Sequence, residues 1–195
     1  MMLAEVNSRN QRLMEVAASI LNHVPDKKLK TVALNKALFY VDLVSLRDFG
    51  DTISHNTYIA LEHGPVIAKY PNRLVNGLVK AGIAIQSSEG NSKPIVLKQM
   101  PDRLDYIDVS IETVIEKVAL WAARRTAQEM SDIAHQNIGW IVAYQEGLGR
   151  QQPAQPINLY LAMQQIVDPD PWLEMAYTAS NQVMAAADCD AGIAW

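Results

Sequence analysis

Apolar residues recur at helical spacing through the first twenty-odd positions. Leu3, Val6, Leu13, Val16, Ala17, Ile20 and Leu21 share one face, with Glu5, Arg9, Asn10, Arg12 and Glu15 between them. This predicts a helix over residues 3–22, stopped by Pro25 and followed by a basic link at Lys27, Lys28 and Lys30. A second helix is predicted from Thr31, a candidate N-cap, to Phe49, with Gly50 closing it. Leu34, Leu38, Val41, Phe39 and Tyr40 give it a broad apolar face. Residues 51–55 read as a turn, and Ser54 or Asn56 leads into a predicted short helix over residues 57–61 that Gly64-Pro65 ends. A further helix is predicted over residues 70–81, with Leu74, Leu78 and Val79 inward and Gly82 as cap. Two β-prone runs, residues 83–85 and 95–97, then flank a polar loop containing glycine, a hairpin signal.

Helices followed by a hairpin give the order of a winged-helix module over about residues 27–99. Residues 101–108 form a joint. Helical patterning then returns over residues 109–126 and 131–144, with Trp121 and Trp140 as large core candidates. Glycines 147 and 149 and prolines 153 and 156 separate that pair from a predicted helix over residues 157–167. A last helical segment over residues 172–187 follows Asp168-Pro169-Asp170-Pro171. The fold class expected is mainly α (α+β): a helical protein with a small β-hairpin and a winged-helix-like core.

Composition narrows the class. The chain has 195 residues, 49% of them hydrophobic, which is enough for one substantial core without disulfide or metal staples. Its single cysteine, Cys189, has no partner for an internal disulfide and fits a reducing compartment. The charges interrupting the N-terminal apolar pattern match neither a signal peptide nor a membrane span, so a soluble cytoplasmic protein is expected. Residues 1–100 hold 12 Lys/Arg against 8 Asp/Glu, and residues 101–195 hold 5 against 13. This gradient can steer a basic partner toward the C-terminal half, or serve as a solvated acidic surface.

Candidate chemistry is sparse. A winged module invites DNA binding, and the predicted reader helix offers Arg73, Asn76 and Lys80 with Lys69 just ahead, a thin patch in an acidic protein. His55, His63 and Asp51 could meet around a metal, yet no HExxH or paired-cysteine spacing occurs, and a local hydrogen bond of His63 in its turn explains it equally well. Ser131 and His135 share a helix face, but no motif supplies an orienting acid or oxyanion hole. The simpler reading makes Ser131 a cap and His135 a polar contact beside Trp140. The glycines around Arg150 do not form a phosphate-binding motif, and Cys189 lacks a basic neighbour to activate it. Catalytic residues, cofactors and metal are therefore expected to be absent.

Three blocks resemble one family. Leu34, Lys36, Phe39, Tyr40 and Asp42 resemble its first motif; Gly50, Ile53, Tyr58-Ile59-Ala60 and Gly64-Pro65-Val66 its central motif; Ser131, His135 and Trp140 its later helix motif. The family is the Panacea domain, also called SocA-like or phage-associated GepA-like, and the resemblance covers about residues 13–165. Ala37 stands where members often carry leucine. The resemblance implies a single antitoxin domain over residues 1–168, with an acidic helical tail over 169–195 available for docking a partner. It also implies neutralisation of a cognate protein toxin, encoded by an adjacent gene, through direct contact. A proteolytic adaptor delivering the toxin to a ClpXP-type protease and a DNA-binding regulator of the operon are the alternatives, and self-association is a further option. Tyr40, Tyr58, Tyr70, Arg73 and Trp172 are the side chains expected to anchor the partner.

Overall fold

The structure, a computed structural model, describes residues 2–88, 93–149, 151–152 and 154–166. Its centre is the second helix. After α1 (Met2–His23), a short turn (Pro25–Lys27) and β1 (Lys28–Leu29), the helix α2 (Thr31–Phe49) is buried without a break over residues 33–46. A helix apolar on nearly every side must be surrounded. Around it pack α1, α4 (Val109–Ala123), α5 (Ala127–His135), α7 (Leu159–Met163) and the strand β3 described below. Gly50 ends α2 at φ 78°, its N–H donating to Leu46 O, the left-handed cap expected of that glycine. At the other end Lys30 occupies the cap position, and the Thr31 hydroxyl donates instead to Lys93 O at 3.3 Å, so Thr31 is not the N-cap.

Between α2 and the next helix the chain forms a hairpin. Its strands, β2 (Tyr58–Leu61) and β3 (Gly64–Ile67), pair antiparallel with Ala60 opposite Pro65. The helix expected over residues 57–61 is therefore a strand. Tyr58 and Ala60 are buried while Ile59 and Leu61 are partly exposed, the two-residue period of a sheet. A π-helical turn (Pro71–Val75) continues into α3 (Asn76–Lys80), burying Leu74, Val75 and Leu78, whereas Val79, expected inward, is 43% exposed. The predicted hairpin is present as β4 (Ala84–Gln86) and β5 (Ile95–Leu97), and β1 joins it to give the sheet order β1-β5-β4. Helix, strand, two helices and a two-stranded wing, with the early strand pairing the last, make a winged-helix-like core into which β2–β3 is inserted. The whole is mainly helical with small β elements, as the patterning predicts.

In the C-terminal half Asp108 caps α4, its carboxylate accepting from Ile111 N at 2.9 Å. Ser19 and His23 of α1 both reach Glu112 on α4, at 2.9 and 2.6 Å. The segment expected as one helix over residues 131–144 is two: α5, and α6 (Ile138–Gly149). Thr126 and Glu129 form a reciprocal capping box at the start of α5, so Ser131 lies inside that helix and is not its cap. Asn137 divides the pair. Its carbonyl accepts from Gly139 N and Trp140 N, and its amide donates to Ala162 O of α7. The segment predicted as a helix over residues 172–187 and the tail over 169–195 lie outside the described residues. Among the described residues no helix is long and apolar enough to cross a membrane.

Candidate functional site

The buried stretch of α2 contains polar side chains that a core helix normally excludes, and three of them, Asn35, Lys36 and Asp42, are spent on the segment between Ser54 and Ile67. Asp42, fully buried, accepts from Ser54 N at 2.8 Å, from the Ser54 hydroxyl, and from the Tyr58 hydroxyl at 2.7 Å. Burial raises the Asp42 carboxyl above the usual range, with these bonds acting the other way, and burial beside that carboxylate raises the Tyr58 hydroxyl well above its own. Two turns nearer the N-terminus, Asn35 accepts from Ile67 N and donates to Thr31 O. Lys36 is fully buried, and its amine donates to Pro65 O at 3.1 Å. Removal from water lowers its pKa to about 7, where the ammonium and the free amine have comparable populations.

Two more helices hold the same hairpin from the far side. The Ser131 hydroxyl of α5 donates to His63 O at 3.2 Å, and Trp140 Nε1 of α6 donates to Leu61 O at 3.0 Å. His135 stacks on Trp140 with centroids 4.3 Å apart, and Tyr144 stacks on the other side at 4.7 Å. Burial lowers the pKa of His135, with the Glu62 backbone acting in the opposite direction. Donors from α2, α5 and α6 thus converge on the backbone carbonyls of Leu61, His63 and Pro65. Gly64 sits where they meet, at φ +97°; a Cβ there would fall 2.7 Å from the Lys36 amine nitrogen and 3.3 Å from Ala134. Glycine is required both by the conformation and by the close approach. The β2 edge is covered too, with Ala60 N donating to Gln155 O and Ile157 N to Tyr58 O.

Beside the gripped hairpin lies an open groove of about 700 Å³. Its walls come from the start of α2 (Thr31, Val32), the hairpin (Ala60, Leu61, Val66), Tyr70, and the end of α6 (Tyr144, Gly147, Leu148), with Glu62 and His63 on its rim. The lining is mostly apolar and aromatic with a few polar groups, the usual make-up of a binding cavity of this size.

The residues expected as partner anchors are dispersed. Tyr70 lines the groove. Tyr40 and Tyr58 are core side chains: Tyr40 packs edge-on to Trp121 at 4.9 Å, and Tyr58 edge-on to Phe39 at 5.2 Å. Neither offers a surface to a partner in this structure. Arg73 is half-buried and donates to Asn10 at 3.4 Å, and Trp172 lies outside the described residues. The motif residues Leu34, Lys36, Phe39, Asp42, Gly64, Pro65, Val66, Ser131, His135 and Trp140 gather on or beneath the hairpin, and Gly50 ends the helix that carries the first of them. His55 pairs with Asp51 at 2.9 Å, away from the turn that holds His63. Among the described residues no three His, Cys, Asp or Glu side chains are grouped to hold a metal. Sequence reasoning missed Asn35 and Asn137; an asparagine interrupting an apolar helical pattern was the available signal for the second.

A family model described as the SocA-like antitoxin Panacea domain matches residues 34–141. The matched span begins at the buried stretch of α2 and ends just past Trp140, so it contains every side chain that grips the hairpin carbonyls. No curated protein and no solved structure matches the chain.

Proposed function

Because the chain belongs to the SocA-like Panacea antitoxin family, we propose that it neutralises a cognate toxin protein by direct, stoichiometric contact. The observation that carries this reading is the coincidence of the family match with the gripped hairpin, which forms one side of the groove. The matched residues supply Ala60, Leu61, Val66 and Tyr70 to this apolar surface concavity, and Tyr144 and Leu148, just beyond the match, line it with them. Such concavities accept the few aromatic or arginine side chains that dominate protein interfaces. The acidic excess after residue 100 adds attraction toward a basic toxin, which acts mainly on association rate.

The test is co-expression of the chain with the product of each adjacent gene, scoring growth rescue and co-purification together. A stoichiometric complex that restores growth supports the proposal, and Leu148→Asp or Tyr70→Ala should weaken it about tenfold or more, within the range of an interface anchor. Val79→Lys, on α3, should not. Rescue without a complex sinks direct neutralisation.

The order of elements favours one second reading, operator binding through the winged core. The π-helical turn and α3 present exposed Asn72, Asn76 and Lys80, while Arg73 is pulled half-inward. A mobility shift with upstream DNA at low salt, lost in a Lys69/Arg73/Lys80 triple alanine variant, supports it; no shift removes it.

A further inference from the structure

The groove is walled by Leu61, Val66, Tyr70, Tyr144 and Leu148, and Leu148 is 64% exposed. A concave apolar surface left open to solvent marks a place where another molecule binds. The charges around it say what that molecule carries.

The α2 wall of the groove begins at Thr31, and there the fold gathers lysines from two stretches of chain. In the β1–β5 pairing Lys28 lies opposite Val96 and Leu29 opposite Ile95, which sets Lys27, Lys28 and Lys30 alongside Lys93 and Lys98. All five are exposed, and Asp26 is the one acid in residues 26–31 and 93–98. Lys30 and Lys93 stand beside the groove wall. Lys30 immediately precedes Thr31, whose hydroxyl donates to Lys93 O at 3.3 Å. Lys69, also exposed, immediately precedes Tyr70, and Lys36 is part of the wall. By the same measure the bordering acids are fewer: Glu62 on the rim, and Glu146 just before Gly147. Lysines around an apolar concavity draw carboxylates to its edge, and the lining accepts the apolar side chains beside them. A nucleic-acid backbone would use the lysines and leave the apolar wall uncovered.

We propose that the groove docks a segment of a partner protein in which Asp or Glu residues flank aromatic or aliphatic ones. The apolar side chains enter among Tyr70, Tyr144 and Leu148, and the carboxylates meet Lys30 and Lys93. The proposal rests on the antitoxin reading for the groove's role as a protein-docking site, and adds the chemistry of what enters it. The acidic C-terminal half and this basic rim then ask opposite charges of two regions of one partner.

The experiment pans short random peptides, displayed on phage, against the full chain. Synthetic copies of the enriched peptides are titrated by fluorescence anisotropy. Peptides combining Asp or Glu with Trp, Phe or Leu are expected, bound several-fold more weakly at high salt. The Lys30→Glu/Lys93→Glu double variant should weaken them about tenfold and flatten the salt dependence. Leu148→Asp should also weaken them about tenfold, and Val79→Lys should not. All four positions are exposed, and circular dichroism checks that each variant folds. Enrichment of neutral or basic peptides, no enrichment, or affinity indifferent to the lysine reversal overturns the proposal. DNA binding lost with the lysines, where no peptide binds, overturns it in favour of a phosphate-backbone surface. Acidic apolar peptides held in the groove of a chain that complexes no neighbouring gene product leave this inference standing and defeat the antitoxin reading. A growth-restoring complex sensitive to Leu148→Asp but not to the lysine reversal does the reverse.

Discussion

Replacing Lys36 by methionine tests the physical account of the site most directly. The side chain is fully buried with its amine on Pro65 O, and its pKa falls to about 7. In the unfolded chain a lysine titrates near 10.4, so the difference exceeds three units and amounts to roughly 4 kcal/mol. The sign follows from proton counting. Between about pH 7 and pH 10 the unfolded state binds the proton that the folded state has released, so unfolding free energy rises with pH across that window. Below pH 7 both states carry the proton and the burial penalty stays constant. Urea unfolding followed by circular dichroism, at steps from about pH 6 to 9.5, should show the wild type gaining roughly 2–3 kcal/mol on Lys36→Met above neutrality. The comparison cancels the titration of every other group. The offset at one pH is less informative, because methionine removes the buried charge but leaves Pro65 O without its donor. A difference between the two proteins that does not change with pH would refute the reasoning. A wild type that loses ground as pH rises would show the ammonium to be paired in the fold.

Other consequences of the hairpin grip are measurable by the same unfolding assay. Gly64→Ala should cost about 2 kcal/mol or more, from the positive φ and the collision with Lys36; equal stability would mean that the turn relaxes freely. Trp140→Phe keeps a ring for stacking between His135 and Tyr144 but removes the donor to Leu61 O, for a loss of about 1 kcal/mol, whereas a loss near zero would assign that bond no net role. Asp42→Asn preserves shape while turning an amide donor toward Ser54 and Tyr58, and should destabilise by about 1–3 kcal/mol; a neutral result would show the carboxyl to be protonated already.

Long apolar periods made α1, α2 and α4 legible in the sequence, and β-prone runs around a polar loop did the same for the wing. The inserted hairpin was not legible. Tyr58-Ile59-Ala60-Leu61 is too short to separate a two-residue from a four-residue period, and its strand state is fixed by Asp42 and Lys36, distant in sequence. Helical patterning assigns charged positions to one wet side, so it does not reveal that Lys36 and Asp42 are buried against this segment, and α2 has almost no wet side. The boundary before α5 was readable in principle, since Thr126 and Glu129 have the spacing of a capping box. Val79 points outward because the π-helical turn before α3 rotates the faces of that short helix relative to a continuous α-helix. Of the groove, Tyr70 was read as a contact residue, while Tyr144 and Leu148 were not, for the wall is assembled from three parts of the chain that only the fold brings together.

The donors from α2, α5 and α6 all hold main-chain oxygens of the hairpin. The carbonyls of Leu61 and His63 are presented whatever side chains those residues carry, so the frame is indifferent to what decorates it. Leu61, Glu62 and His63 can be exchanged at small cost, while Gly64 and the three donors cannot. A fold organised this way separates a constant support from an exposed tip that is free to vary. The tip can be rewritten residue by residue while the frame beneath it stays unchanged.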